Sequence, residues 1–89
     1  MIIELSQFGT ILTSRPAGRE AYLATKAYLL PKKPDKMEID YSGVKVMTPS
    51  WLDEFRTPLV NEYGKENIVD LPSNNGTVSA SLATIVKSS

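Results

Sequence analysis

The sequence predicts an α/β protein in which helices pack on a small, partly parallel sheet. Short apolar segments of period two are interleaved with longer segments of helical period, in the order β-β-α-β-α-β-α. Strands that alternate with helices imply parallel crossover connections. The chain has 89 residues, so we treat residues 1–89 as one domain. We expect a mixed sheet of about four strands with the helices packed on it.

Apolar segments and turn residues predict the strands. Near the N-terminus these segments are Ile2, Ile3 and Leu5, then Ile11 and Leu12. Gly9 lies between them and suits a turn, so we expect a hairpin that gives the sheet an antiparallel edge. Two further strands are predicted at 37–41 and 68–71, with Val44 and Val46 continuing the apolar alternation after the first of them.

Three helices follow from start signals and periodicity. Ser14 is expected to cap the first helix, whose apolar face would contain Ala17, Ala21, Ala24 and Tyr28. The second helix begins around Thr48-Pro49-Ser50 and ends at Gly64, and its apolar face contains Leu52, Phe55, Leu59 and Tyr63. Pro58 conflicts with this helix, because a proline inside a helix removes a hydrogen bond. The terminal helix contains Val78, Leu82 and Ile85.

The charge balance argues against partners that are strongly charged. Ten Lys and Arg residues balance ten Asp and Glu residues, so no net field favours nucleic acid or an anionic membrane. The basic cluster Lys32, Lys33 and Lys36 is interpreted as a solvated loop. The sequence has no signal peptide and no membrane span by pattern, and the absence of cysteine fits a reducing compartment, so we expect a cytoplasmic protein.

The absence of histidine and cysteine argues against an enzyme. Neither a Ser-His-Asp nor a Cys-His nucleophile can be built from this chain, and zinc loses its preferred ligands. We therefore assign no catalytic residue, no cofactor and no metal ligand. Asp53 and Glu54 are adjacent on a helix and do not face each other, so they are interpreted as a solvated helix start. Asp40 lies at a strand end and is expected to bond a turn amide.

The segment from Met37 to Gly64 resembles a known family. Its motifs are Asp40-Tyr41-Ser42-Gly43-Val44, Ser50-Trp51-Leu52-Asp53-Glu54-Phe55 and Tyr63-Gly64. In order and spacing they are similar to the STAS domain of sulfate transporters and anti-sigma-factor antagonists. The likeness is strongest to small stand-alone bacterial STAS-like domains of unknown function.

The resemblance implies a regulatory module that binds another protein. In antagonists of this fold, a Ser or Thr at the start of this helix is phosphorylated by the partner, an anti-sigma factor of the histidine-kinase-like ATPase class, and the complex then breaks. The matching position is Ser50, with Thr48 as its neighbour. This chain departs from the antagonist signature, because Pro49 replaces a hydroxyl residue, Trp51 replaces a glycine, and the preceding acid is missing.

Several alternatives remain open at this stage. Thr48 or Ser50 is either a helix cap alone or a site of phosphorylation. Trp51 is either part of the core or an exposed anchor for a partner. The surface expected to bind a partner contains Thr48, Ser50, Trp51 and Glu54. A structural or oligomerising subunit, such as a homodimer, is the alternative function. A nucleotide-binding domain that uses Ser50 and Asp40 is less favoured, because no glycine-rich phosphate loop is present.

We predict that the protein binds no transition metal tightly and hydrolyses nothing, because the residues that supply such chemistry are missing. Titration calorimetry with Zn²⁺ should show no stoichiometric binding in the submicromolar range. A site of that affinity would refute the prediction.

Overall fold

The computed structural model describes residues 1–29 and 36–88. Lys32 and Lys33 of the predicted loop lie outside these residues. The described α-helices are α1 (Arg15–Ala24), α2 (Pro49–Tyr63) and α3 (Gly76–Ser88). The described strands are β1 (Ile2–Glu4), β2 (Ile11–Leu12), β3 (Met37–Asp40), β4 (Val46–Met47) and β5 (Ile68–Asp70). Short 3₁₀ helices occupy Leu5–Phe8 and Lys65–Asn67, and a π-helical segment, Thr25–Leu29, follows α1.

The strands form two parallel sheets, which corrects the predicted hairpin. One sheet has the order β1-β3-β5 and the other pairs β2 with β4. All three pairings are parallel, so β1 and β2 are not partners and the described strands contain no antiparallel edge. The fold class α/β is confirmed, but the strand count is five because Val46–Met47 forms a strand of its own.

The segment between β1 and β2 explains the failure of the hairpin. Leu5 and Phe8 belong to a 3₁₀ helix rather than to a strand or a tight turn. Leu5 is fully buried, and the Phe8 ring lies 5.9 Å from that of Phe55. The burial of Leu5 and the partial burial of Phe8 accompany the turn of the chain away from β1. Gly9 then adopts a φ of 129°, which only glycine takes readily, and β2 pairs with β4 instead.

The first helix packs on the second one. Its buried residues are Gly18, Ala21 and Tyr22, followed by Thr25 at the start of the π-helical segment, so the predicted alanine face is displaced by about one position. Ala17 is exposed. Gly18 permits the close approach, because a Cβ at this position would collide with the backbone carbonyl oxygen of Trp51. Ser14 caps the helix as predicted, since its Oγ accepts a hydrogen bond of 3.3 Å from the Ala17 amide.

The second helix has the predicted bounds and supplies the centre of the core. Thr48 is its N-cap, Gly64 is its C-cap, and the helix continues through Pro58. The predicted side chains Leu52, Phe55 and Leu59 are buried. They lie with the inward side chains of the three-stranded sheet, namely Ile3, Met37, Ile39 and Ile68, in one apolar cluster.

The third helix completes the ribbon formed by β2 and β4. Thr77 Oγ1 accepts a hydrogen bond of 3.1 Å from the Met47 amide, and Ser81 Oγ donates one of 3.2 Å to the Met47 carbonyl. These hydroxyls form hydrogen bonds with the backbone amide and carbonyl at the edge of β4, as a neighbouring strand would. Asn75 anchors the start of the helix, because its side-chain amide donates to the carbonyls of Val44 and Lys45. None of the helices within the described residues combines the length and apolar character that crossing a bilayer requires.

We predict that Leu59→Ala lowers the free energy of unfolding by about 2–5 kcal/mol, because the side chain is 0% exposed and its removal leaves a cavity. Leu23→Ala is the matched control, since Leu23 is helical and 48% exposed and should change stability by less than about 0.5 kcal/mol. Urea denaturation measures both. Equal effects of the two substitutions would contradict the assigned packing.

Candidate functional site

The starts of α1 and α2 lie side by side at the same end of the β2–β4 ribbon. Because β2 and β4 are parallel and lead directly into α1 and α2, both helices begin at the carboxyl end of the ribbon. The Thr48 amide donates to the Leu12 carbonyl at 3.0 Å. Thr48 Oγ1 donates to the Thr13 carbonyl at 2.8 Å. We call the residues exposed here the helix-start surface, which contains Arg15, Thr48, Ser50, Asp53 and Glu54.

Thr48 is the N-cap of α2, which resolves one of the alternatives left by the sequence. Its Oγ1 accepts a long hydrogen bond of 3.5 Å from the Trp51 amide while it donates to Thr13. Asp53 does not form a capping box with Ser50, because its carboxylate accepts a hydrogen bond of 2.8 Å from Thr57 Oγ1. The Thr48 hydroxyl is therefore engaged on both sides and is only partly exposed.

Ser50 occupies the second position of α2 and has no capping role. It is partly exposed, and among the described residues no hydrogen-bond partner of its hydroxyl is present. Within the pair singled out from the sequence, the structure thus separates a cap, Thr48, from a hydroxyl that is free to react, Ser50.

Trp51 lies in the core, which decides between the two alternatives that the sequence left open and removes Trp51 from the surface expected to bind a partner. The side chain is 1% exposed. Its ring stacks on that of Phe55 at 5.2 Å and lies 6.5 Å from that of Phe8. The burial of Phe8 beside α2 provides the apolar neighbours that hold the indole inside, and the sequence did not indicate that contact.

Arg15 pairs with both carboxylates of the α2 start. Its Nη1 lies 3.0 Å from Asp53 Oδ2 and 3.3 Å from Glu54 Oε1. The hydrogen bond from Thr57, and then that from Arg15, hold the pKa of Asp53 below its ordinary value. The predicted partner residue Glu54 therefore lies on the surface in an ion pair. Exposed ion pairs of this kind contribute little to stability. Their main effect is to set where the charges of this surface lie.

A shallow cleft of about 180 Å³ opens beside this surface. Its lining joins the starts of α1 and α2 to α3 through Arg15, Pro49, Asp53, Thr84 and Ile85. The charged groups in the lining, Arg15 and Asp53, already neutralise each other. Within the described residues no group of acidic side chains is arranged to hold a metal ion. The cleft therefore offers a shallow contact surface beside the helix starts.

A buried polar cluster joins β3, β5 and α2, and the sequence analysis missed it. Asp70 Oδ1 accepts a hydrogen bond of 2.6 Å from the Tyr41 hydroxyl. Asp70 also accepts from Arg56 Nε at 3.2 Å and from Arg56 Nη2 at 2.8 Å. Arg56 falls within the apolar stripe of α2, one turn from Leu52 and Leu59, which is the signal that could have revealed its burial. Because these three side chains form hydrogen bonds with one another, the cluster holds β3, β5 and α2 together.

Asp40 behaves as predicted. Its Oδ1 accepts a hydrogen bond of 2.9 Å from the Ser42 amide. Hydrogen bonds from Ser42 lower the pKa of this partly exposed carboxyl. The side chain therefore shapes the turn after β3 and remains ionised at neutral pH.

Comparison with protein-family models, with curated proteins and with solved structures found no match to this chain. The function is accordingly argued below from the helix-start surface and from the resemblance in sequence.

We predict that Tyr41 gives the protein an alkaline stability limit. Burial first, and then the charge of Asp70, raise the pKa of its hydroxyl far above the ordinary 10.0. The stabilisation is therefore complete below pH 10 and is lost as the pH rises through the higher folded-state value. The free energy of unfolding should decline above about pH 10, as measured by urea denaturation across a pH series.

Tyr41→Phe should lower stability by about 1.5–3 kcal/mol at neutral pH, because a hydrogen bond to a charged group is lost. It should also make the alkaline decline shallower. Burial also raises the pKa of Tyr22, so part of the alkaline decline in stability should remain in this variant. Tyr63→Phe is the matched control, because Tyr63 is only partly buried and lies outside the cluster, so it should lower the free energy of unfolding at neutral pH less than Tyr41→Phe does. An identical profile for Tyr41→Phe and the parent protein would contradict the assignment.

Proposed function

We propose that this chain is a cytoplasmic, non-enzymatic regulatory module that binds another protein through the helix-start surface. The partner class that the STAS-like resemblance favours is a histidine-kinase-like ATPase acting as an anti-sigma factor, and the modified residue is Ser50. No cofactor or metal takes part. The observation that carries the proposal is the partly exposed Ser50 hydroxyl, which has no structural duty at the start of α2.

The two hydroxyls of this helix start support a division of roles. Phosphorylation of Thr48 would remove the cap and break its hydrogen bond to Thr13, at a cost of about 1 kcal/mol or more. Phosphorylation of Ser50 breaks no hydrogen bond of the described structure. A switch that leaves the fold intact therefore belongs at Ser50.

The amides of the first turn leave an added phosphate exposed to a partner. Pro49 has no N–H, the Trp51 amide donates to Thr48 Oγ1, and the Leu52 amide donates to the Thr48 carbonyl. Of the early amides only that of Ser50 remains for a phosphate. Asp53 and Glu54 lie three and four residues further on, and their pairing with Arg15 leaves only a weak repulsion of the new charge. The phosphate would stay at the surface. There it would weaken a complex, either by charge repulsion or through the cost of removing water from the phosphate when the partner binds.

A homo-oligomeric subunit is the second candidate, and one observation favours it. Ile11 and Val46 are paired across the β2–β4 ribbon and are both exposed. Apolar side chains in such a pair suit an interface between copies. Sedimentation equilibrium at micromolar concentration separates the candidates, because a tight homodimer that is unaffected by Ser50→Asp favours the oligomeric subunit.

We predict that Ser50→Asp weakens partner binding by about 1–3 kcal/mol while leaving the melting temperature nearly unchanged. The favourable interaction with the helix N-terminus and the repulsion from Asp53 and Glu54 are each a few tenths of a kcal/mol and nearly cancel. The partner is first isolated by crosslinking and capture, and its affinity for each variant is then measured by calorimetry.

Ser79→Asp is the matched control, because Ser79 is an exposed serine in the first turns of α3. It should bind the partner like the parent protein. If both variants bind equally well, Ser50 lies outside the interface and the proposal fails. Trp51→Ala is unsuitable for this test, since loss of a buried indole destabilises the fold itself.

A further inference from the structure

The three-stranded sheet has one face that no described helix covers. Along each strand the side chains alternate, and Ile3, Met37, Ile39 and Ile68 point into the core. The opposite side chains are exposed or partly exposed, and Ile2 is 56% exposed. Parallel sheets are almost always covered on both faces, so this arrangement is unusual for the fold class. We call this surface the open sheet face, which contains Ile2, Glu4, Glu38, Asp40 and Val69.

Strand register arranges these five side chains in two rows. Ile2, Glu38 and Val69 lie directly across from one another, which places a carboxylate between two apolar side chains. Glu4 and Asp40 form the second row, where two carboxylates oppose each other on neighbouring strands. Like charges in such a pair destabilise a sheet by a fraction of a kcal/mol. The Asp40 carboxylate accepts a hydrogen bond from the Ser42 amide, so this like-charged pair is only partly compensated within the described structure. Departures from a local rule of this kind are common at functional sites.

The carboxylates of the open sheet face have no cation partners among the described residues. Elsewhere Asp53, Glu54, Glu62 and Asp70 each form a salt bridge with Arg or Lys, whereas Glu4, Glu38 and Asp40 form none. They are also not grouped closely enough to hold a metal ion. The negative charge is thus spread across the face, as suits a partner with several separated cations.

The dimensions of the face match a single helix. Two interstrand spacings give a width of about 10 Å, which is close to the diameter of an α-helix with its side chains. The two rows are two residues apart along the strands, or about 7 Å, while residues four apart on a helix are separated by about 6 Å. Cationic side chains at i and i+4 of a docked helix would therefore meet the two rows in turn.

We propose that the open sheet face is a docking site for a cationic amphipathic helix of another protein. Lys or Arg side chains of that helix meet Glu38 and the Glu4–Asp40 pair, and apolar side chains beside them cover Ile2 and Val69. A second copy of this chain does not fit, because face-to-face pairing would bring six carboxylates together. This site is separate from the helix-start surface and does not depend on the regulatory function proposed above.

The test uses a synthetic helical peptide of Leu and Lys residues, with a Leu and Glu peptide of the same length and pattern as its counterpart. Both are titrated into isotopically labelled protein while amide chemical shifts are recorded. The Leu and Lys peptide should shift the amides of β1, β3 and β5, and the acidic peptide should not. Raising the salt concentration should weaken the binding, because the charges are exposed.

A double substitution, Glu4→Gln with Glu38→Gln, should weaken binding of the Leu and Lys peptide by about three- to tenfold. Glu20→Gln with Glu66→Gln is the matched control, because it removes the same charge from exposed positions off this face. Equal weakening by both pairs would overturn the proposal, since binding would then follow net charge alone. Shifts confined to the helix-start surface would also overturn it, while leaving the regulatory proposal intact. Concentration-dependent shifts at the open sheet face without peptide would assign it to a second copy and overturn it as well.

Discussion

The burial of Trp51 is the interaction on which the arrangement of this protein depends. The indole packs with the rings of Phe8 and Phe55 in a cluster of three aromatic side chains, while the backbone carbonyl of the same residue lies against Gly18. One residue therefore fixes the N-terminal 3₁₀ helix, the first turn of α2 and the crossing of α1 over α2. A larger residue at position 18 would separate the two helices and also open the core around the indole.

The same contact explains which parts of the fold were predictable from the sequence. Caps and periodicity are local, so Ser14, Thr48 and Gly64 correctly marked the helix ends. The failure of the predicted hairpin is tertiary in origin. Leu5 and Phe8 gain more from burial beside α2 than from extending a strand, and no pattern within residues 1–12 reveals that neighbour. Tertiary packing overrides short-range signals most easily in strands of two or three residues.

The candidate site shows the same division. The two hydroxyls at the start of α2 were visible in the sequence, and Pro49 between them favoured Thr48 as the cap. The second hydrogen bond of Thr48 was not visible, because its acceptor is the Thr13 carbonyl in a distant part of the chain. The sequence analysis did not single out Arg56 or Asp70, which bond each other together with Tyr41. Burial of a charge becomes tolerable only when its partner is present, and that partner is 14 residues away in sequence.

The turn after β3 lies between the open sheet face and α2. Asp40 belongs to that face, while the next residue, Tyr41, is buried and bonds Asp70, which also accepts hydrogen bonds from Arg56 of α2. Coupling between two surfaces requires an element with two arrangements. Tyr41, Asp70 and Arg56 are bonded to one another in the arrangement described, and none of them belongs to the helix-start surface. We therefore expect partners on the two surfaces to bind independently.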